Sequence, residues 1–255
     1  MTMRVNAVKR KITAGEPVHG LFCSIPAPAL VEMIGYGGYD FVVLDTEHTQ
    51  LDPQQLENLI RAAETTALTP LVRVPSNDPG AILRALDAGA LGIVVPHVCS
   101  RADIDTAIKA AYYTPIGMRS LGSGRTTRFG SADPVQHLAA ANAEIMMVPL
   151  LEDADGVEAI DDILTGGNID LVLPGPGDLS QSYGVPWQLR HPLVLSAVDR
   201  LHNACSNHDV PFGAIVRTTE RYAHWHEAGV RAFVHGDAAD MAAAALRNNL
   251  AVLRS

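Results

Sequence analysis

The sequence predicts an α/β fold of the (β/α)8 class, the TIM barrel, as one domain over residues 1–255. Three observations predict it. Eight short runs are apolar at successive positions rather than alternating, as strands covered on both faces are. Helical stretches separate them throughout, which argues for a parallel sheet. One junction, a helix end running through glycine into the next strand, recurs at 37–41, 88–92, 166–170 and 228–232. Glycine supplies the left-handed residue that closes a helix, so the recurrence marks a repeated unit. Eight such units suit a barrel of about 250 residues. The runner-up, a doubly wound open sheet, lacks its Gly-rich dinucleotide fingerprint after the first strand.

The strands are read at 20–25, 41–45, 71–75, 92–96, 145–151, 171–174, 212–216 and 232–235. The helices are read at 28–36, 52–66, 78–88, 101–112, 156–164, 191–208, 219–228 and 238–253. Asp52 and Asp78 each stand before a proline, a capping residue followed by proline at the first helical position. The connection 113–143 carries Gly117, Gly122, Gly124 and Gly130. It exceeds the roughly 12–15 residues of ordinary loops, and it reads as a segment folded over the barrel mouth.

Composition narrows the function. Apolar residues make up 47% and charged residues 18%, enough for a large core and too little charge for disorder. The net charge of −9, with no Lys/Arg run, argues against nucleic acid or an anionic membrane as partner. No apolar string approaches the roughly 20 residues that span a bilayer. Residues 1–12 lack the apolar stretch of a secretory signal. Three cysteines without metal spacing suit a reduced, cytoplasmic protein.

Barrel enzymes place their chemistry at C-terminal strand ends. There the sequence offers Asp45, Glu47 and His48 after strand two, Arg73 in strand three and His97 after strand four. Glu152 and Asp153 follow strand five, Gly177 and Asp178 strand six, and His235 ends strand eight. Glu152 and Asp178 come from adjacent strands and suit a hard divalent cation; Asp178 taken alone reads equally as a helix cap. A carboxylate near a histidine is a general-base arrangement. An arginine in an apolar strand calls for an anionic partner. Of ten histidines, His48 is the strong candidate and His97 the second. His137, His191, His202, His208, His224 and His226 read as surface or capping residues, and His19 lies at the opposite end of strand one.

With these residues in view, the chain resembles the HpcH/HpaI aldolases. The matching segments are FVVLDTEH (41–48), PLVRVP (70–75), YTPIGMR (113–119), PLLE (149–152) and GPGDLS (175–180). The resemblance implies a metal-dependent, class II lyase that cleaves a 4-hydroxy-2-oxo acid to pyruvate and an aldehyde through an enolate. It implies Mg²⁺, Mn²⁺ or Co²⁺ on Glu152 and Asp178, His48 as base paired with Asp45, and Arg73 at the enolate oxygen. The substrate carboxylate would rest on backbone N–H groups at Gly177 and Asp178, with Thr127 as a hydroxyl contact. It further implies a homo-oligomer, a hexamer built as a trimer of dimers with the last helix exchanged between subunits, though an ordinary docked helix fits 238–253 as well.

Two positions depart from the family pattern. Leu150 stands where many relatives carry Gln, and His97 where some carry Met; both are expected in the substrate pocket. Arg125 or Arg128 reads either as a site for a second carboxylate or as a salt bridge. These departures leave open a citrate-synthase-like condensing enzyme of siderophore biosynthesis, or an oxaloacetate decarboxylase, on the same barrel. A non-catalytic barrel would have lost one of His48, Arg73, Glu152 or Asp178, and all four are present.

Overall fold

A computed structural model describes residues 3–254. The chain begins with α1 (Ala7–Thr13), then runs β1 (Val18–Cys23), α2 (Pro28–Tyr36), β2 (Phe41–Asp45), α3 (Pro53–Thr65) and β3 (Thr69–Arg73). It continues through α4 (Pro79–Asp87), β4 (Gly92–Val95), α5 (Arg101–Ala111), a 3-10 turn (Arg125–Thr127), α6 (Pro134–Glu144) and β5 (Met146–Leu151). Next come α7 (Ala154–Glu158), α8 (Ile160–Leu164), β6 (Leu173–Pro174), α9 (Pro176–Ser182) and α10 (Pro192–Asn207). The last elements are β7 (Gly213–Ile215), α11 (Thr219–Glu227), β8 (Ala232–Asp237) and α12 (Ala238–Arg254).

The strands are parallel in the order β6-β5-β4-β3-β2-β1-β8-β7. A parallel bridge between Val172 and Phe212 joins β6 to β7 and completes the ring. The (β/α)8 class is therefore the observed one. Side chains such as Phe41, Leu71, Val148 and Leu173 fill the interior, and the opposite strand faces pack under the helices. Gly20 is required by this filling: a Cβ there would meet the Phe41 ring at 2.2 Å.

The capping expectations hold. Asp52 and Asp78 accept the N–H of Gln55 and Ala81, and Asp133, also followed by proline, caps α6 in the same way. That helix lies within the connection read as a loop. The rest of the connection does not cover the mouth. Arg125 binds Glu64 near the end of α3 and the Ala88 carbonyl at the end of α4, and Arg119 reaches Asp87 at 2.7 Å. These helix ends belong to the far side of the barrel.

Helix α1, absent from the sequence reading, seals that far side. Val8 joins the interior cluster, and Asn6 is fully buried. The Asn6 amide donates to the Leu91 and Glu144 carbonyls at 3.0 and 2.9 Å, and its oxygen accepts the Lys9 N–H. At the other extreme, α12 touches β1 and β8 and leaves Leu246, Leu250, Val252 and Leu253 exposed.

Candidate active site

Register places the first pair of functional side chains. Asp45 and Arg73 are partners across β2 and β3. Arg73 donates from Nε and Nη2 to the two Asp45 oxygens at 3.0 and 2.7 Å. Such a fork fixes the guanidinium plane. The Phe22 ring covers it at 5.0 Å. Burial alone would raise the Asp45 carboxyl, but the Arg73 bonds and charge, with the N–H groups of Glu47 and His48, hold it below the usual carboxylate range. Burial likewise opposes the Arg73 charge, and Asp45 outweighs it.

This geometry revises one expected pairing. Asp45 meets His48 through the backbone N–H, at 3.3 Å. The His48 ring is 3.8 Å from Glu47 Oε2 and largely exposed. Glu47, not Asp45, is the carboxylate beside the imidazole. Glu47 Oε2 also lies 3.2 Å from Arg73 Nη1, yet it is buried and accepts no hydrogen bond among the described residues.

Glu152, one residue past β5, is 2% exposed. Burial pushes its carboxyl up to about 7, the charges of Glu47 and Asp178 push the same way, and His97 opposes them. Among the described residues its one backbone donor is His97 N–H at 3.1 Å. That donor is aimed by an uncommon backbone: His97 has φ 52, a left-handed conformation costly for a side-chain-bearing residue. The His97 ring is held by Asp153 at 2.8 Å and stands 3.5 Å from Glu47. Burial lowers its affinity for a proton, but Asp153, Glu152 and Glu47 together hold it above the usual imidazole range. Gly175 completes the pocket, because a Cβ there would stand 2.4 Å from the Glu152 carboxylate.

Donor atoms of Glu47, His97 and Glu152 lie within 4.8 Å of one another, a cluster that fits a cation. Two carboxylates and an imidazole, one oxygen buried without a donor and one carboxyl driven toward its neutral form, are what a divalent ion would relieve. Asp178 faces Glu152 across a cleft of about 200 Å³ that Arg73, Leu150 and Gly177 also line.

The expected residues therefore separate into two groups. Arg73, Leu150, Glu152, Gly177 and Asp178 share the cleft, Asp45 holds Arg73, and His48 and His97 flank it through Glu47. Thr127 does not join them; its hydroxyl donates to the Gly124 carbonyl within the distant 3-10 turn. Arg125 is a salt bridge to Glu64. His235 points outward, 2.9 Å from His19, because strand alternation puts its neighbour Val234 inside. His137 is buried against Tyr113 rather than on the surface, whereas His191 caps α10 as expected.

The cleft residues not anticipated include four with large or charged side chains, Phe22, Trp187, Arg217 and Asp237. Three of them obey the strand-end rule already applied. Phe22 is near the end of β1, Arg217 is two residues past β7, and Asp237 ends β8 two residues beyond the expected boundary. Trp187 sits in a loop held by its N–H to Ser180 Oγ, 2.8 Å, and no sequence signal marks it.

A closed parallel barrel with an arginine clamped at its C-terminal mouth beside frustrated carboxylates defines a carbon–carbon lyase of the aldolase type. The chain belongs to the HpcH/HpaI aldolase/citrate lyase family, whose model matches residues 19–242. It is 34% identical over 200 residues to a pyruvate aldolase of Rhizobium etli, covering 78% of each chain. It is 30% identical over 224 residues to a 5-keto-4-deoxy-D-glucarate aldolase of Shigella sonnei, covering 86% of this chain and 87% of that one. Among solved structures, citrate synthase SbnG matches with 38% identity, a TM-score of 0.91 and 97% of both chains covered. No described helix is long and apolar enough to cross a membrane.

Proposed function

We propose that the protein is a divalent-cation-dependent aldolase that cleaves a 4-hydroxy-2-oxo acid to pyruvate and an aldehyde. The observation that carries this reading is the clamped Arg73 facing the buried, charge-crowded Glu152 in one cleft. Glu152 and Asp178 would hold the cation, with Glu47 and His97 on its flank. When bound, Mg²⁺, Mn²⁺ or Co²⁺ supplies Lewis acidity toward the 2-oxo acid.

The protein's own groups do the rest. Arg73 presents a fixed positive charge where the enolate oxygen develops, and Asp45 keeps it from turning away. The N–H groups of Gly177 and Asp178, in the first turn of α9, lack intrahelical acceptors and receive the substrate carboxylate. His48, beside Glu47, takes the proton from the 4-hydroxyl as the C3–C4 bond breaks. In the reverse direction it helps remove a methyl proton from pyruvate. Leu150 and Phe22 keep the reacting carbons in an apolar corner. The exposed apolar face of α12 supports a homo-oligomer in which this helix packs on a second copy. The three free cysteines fit a cytoplasmic protein.

The test is pyruvate release from a panel of 4-hydroxy-2-oxo acids, with and without chelator. Release that chelator abolishes and a divalent ion restores is expected; full turnover in chelator would sink the cation-dependent mechanism. A second reading, a condensing enzyme, draws on the match to citrate synthase SbnG. Condensation of oxaloacetate with acetyl-CoA, without pyruvate release from any aldol, would establish it instead.

A further inference from the structure

We propose that Arg217 selects the second substrate by binding an anion, carboxylate or phosphate, at the far end of the aldehyde. The proposal rests on the aldolase reading. Arg217 stands just past β7 and lines the catalytic cleft. It lies over the β8 backbone, where a Cβ on Gly236 would be 3.9 Å from its Nε. It also lines an adjoining groove of about 310 Å³ between α10 and α11. Arg217, with Pro176, Leu189 and Ile215, therefore lines both the reacting centre and a second compartment, and it is the only charged residue of the four.

Charge and polarity indicate what that compartment takes. Its wall is largely apolar, including Val194, Val198 and Trp225, and two further cations line it, Arg190 and Arg221, the latter over the Trp225 ring at 5.4 Å. No hydrogen bond or ion pair engages the Arg217 guanidinium among the described residues. This contrasts with Arg73, clamped by Asp45, and with Arg200, paired to Glu158 at 2.9 Å. The β8 carboxylate in the cleft, Asp237, forms no ion pair with Arg217 among the described residues; its Oδ1 accepts the Ser24 hydroxyl at 2.8 Å and the Ala239 N–H at 2.6 Å. In a chain of net charge −9, an unanswered guanidinium at the rim of an apolar groove is a receptor for an anion on an apolar stem. The carbonyl end then points to Arg73 and Glu152, and the anionic end reaches the groove.

The experiment compares aldehydes of equal length ending in carboxylate, phosphate or methyl, each condensed with pyruvate by the metal-loaded enzyme. Wild type should favour an anionic member over the methyl one by about 10- to 100-fold in kcat/KM, the worth of a charge-assisted hydrogen bond. Carboxylate and phosphate arms separate the two sources of the anion. Arg217→Met should collapse the preference, carried mainly by KM, while Arg217→Lys should retain part of it. A wild-type preference under threefold, or one that survives Arg217→Met, overturns the proposal. Deuterium exchange into pyruvate by wild type tests the underlying reading separately. Exchange without charge preference removes only the role of Arg217, whereas no exchange removes the aldolase reading and this proposal with it.

Discussion

The two ends of the barrel treat buried polar groups in opposite ways. At the sealed end, Asn6 is fully buried and its amide is satisfied by two carbonyls and one N–H. At the open end, Glu152 is as deeply buried, receives one backbone donor, and is crowded by Glu47 and Asp178. A satisfied network adds stability; an unsatisfied cluster of like charges costs stability and is kept for chemistry. The difference identifies the working end without reference to any relative.

Substitutions at each end sharpen that contrast. The largest effect is expected from Glu152→Gln. Activity should fall by about 10³-fold or more, as expected when a cation loses a ligand and its orientation. The metal-free protein should nevertheless become more stable at neutral pH. The Glu152 carboxyl is raised to about 7, so the native state holds a proton that the unfolded state has released between about pH 4.5 and 7. Stability is therefore full below that window and falls as pH rises through it, by about 3 kcal/mol. Thermal melts of chelated wild type across pH 4–8 should show the loss, and Glu152→Gln should flatten it. A pH-independent melt in both proteins would break the comparison.

Arg73→Met comes next. It removes the charge at the enolate, about 10²–10³-fold in kcat. It also strands Asp45, costing about 3–5 kcal/mol of stability; denaturant unfolding measures the second effect and steady-state kinetics the first. His48→Asn should lower kcat by about 10²–10⁴-fold with little change in melting, since the ring is mostly exposed. Retained kcat would pass the proton transfer to another group. The smallest effect on turnover belongs to the sealed end. Asn6→Ala should cost about 1–3 kcal/mol by orphaning two carbonyls, with kcat unaltered at temperatures where the protein stays folded.

Much of this was legible in the sequence, and the gaps have physical causes. The eight strands stood out because barrel strands are covered on both faces and read as continuous apolar runs. Helices α1 and α6 did not. The first is short and buries Val8 alone. The second has little apolar contrast between its faces, although Asp133-Pro134 repeated a capping signal already recognised twice. The strand-end rule put Asp45, Arg73, Glu152 and Asp178 at the mouth, where the structure has them, because it depends on topology alone. It offered His235, whose ring strand alternation turns outward, and it missed Asp237, which lies past the expected end of β8 and is carried into the cleft by a register shift against β1. Thr127 was misplaced because nothing local tells which end of a barrel a long connection follows. The Glu47–His97 contact is tertiary and needed coordinates.

The seal formed by α1 also bears on the order of events. With side chains filling the interior and Val8 closing its far end, the reacting centre is reached only from the open mouth. Under the aldolase reading, the pyruvyl unit lies innermost and the aldehyde stands between it and the opening. Traffic must then be last in, first out: aldehyde departs before pyruvate during cleavage and enters after it during synthesis. Product-inhibition patterns would register that sequence as pyruvate competing with the aldol while the aldehyde does not.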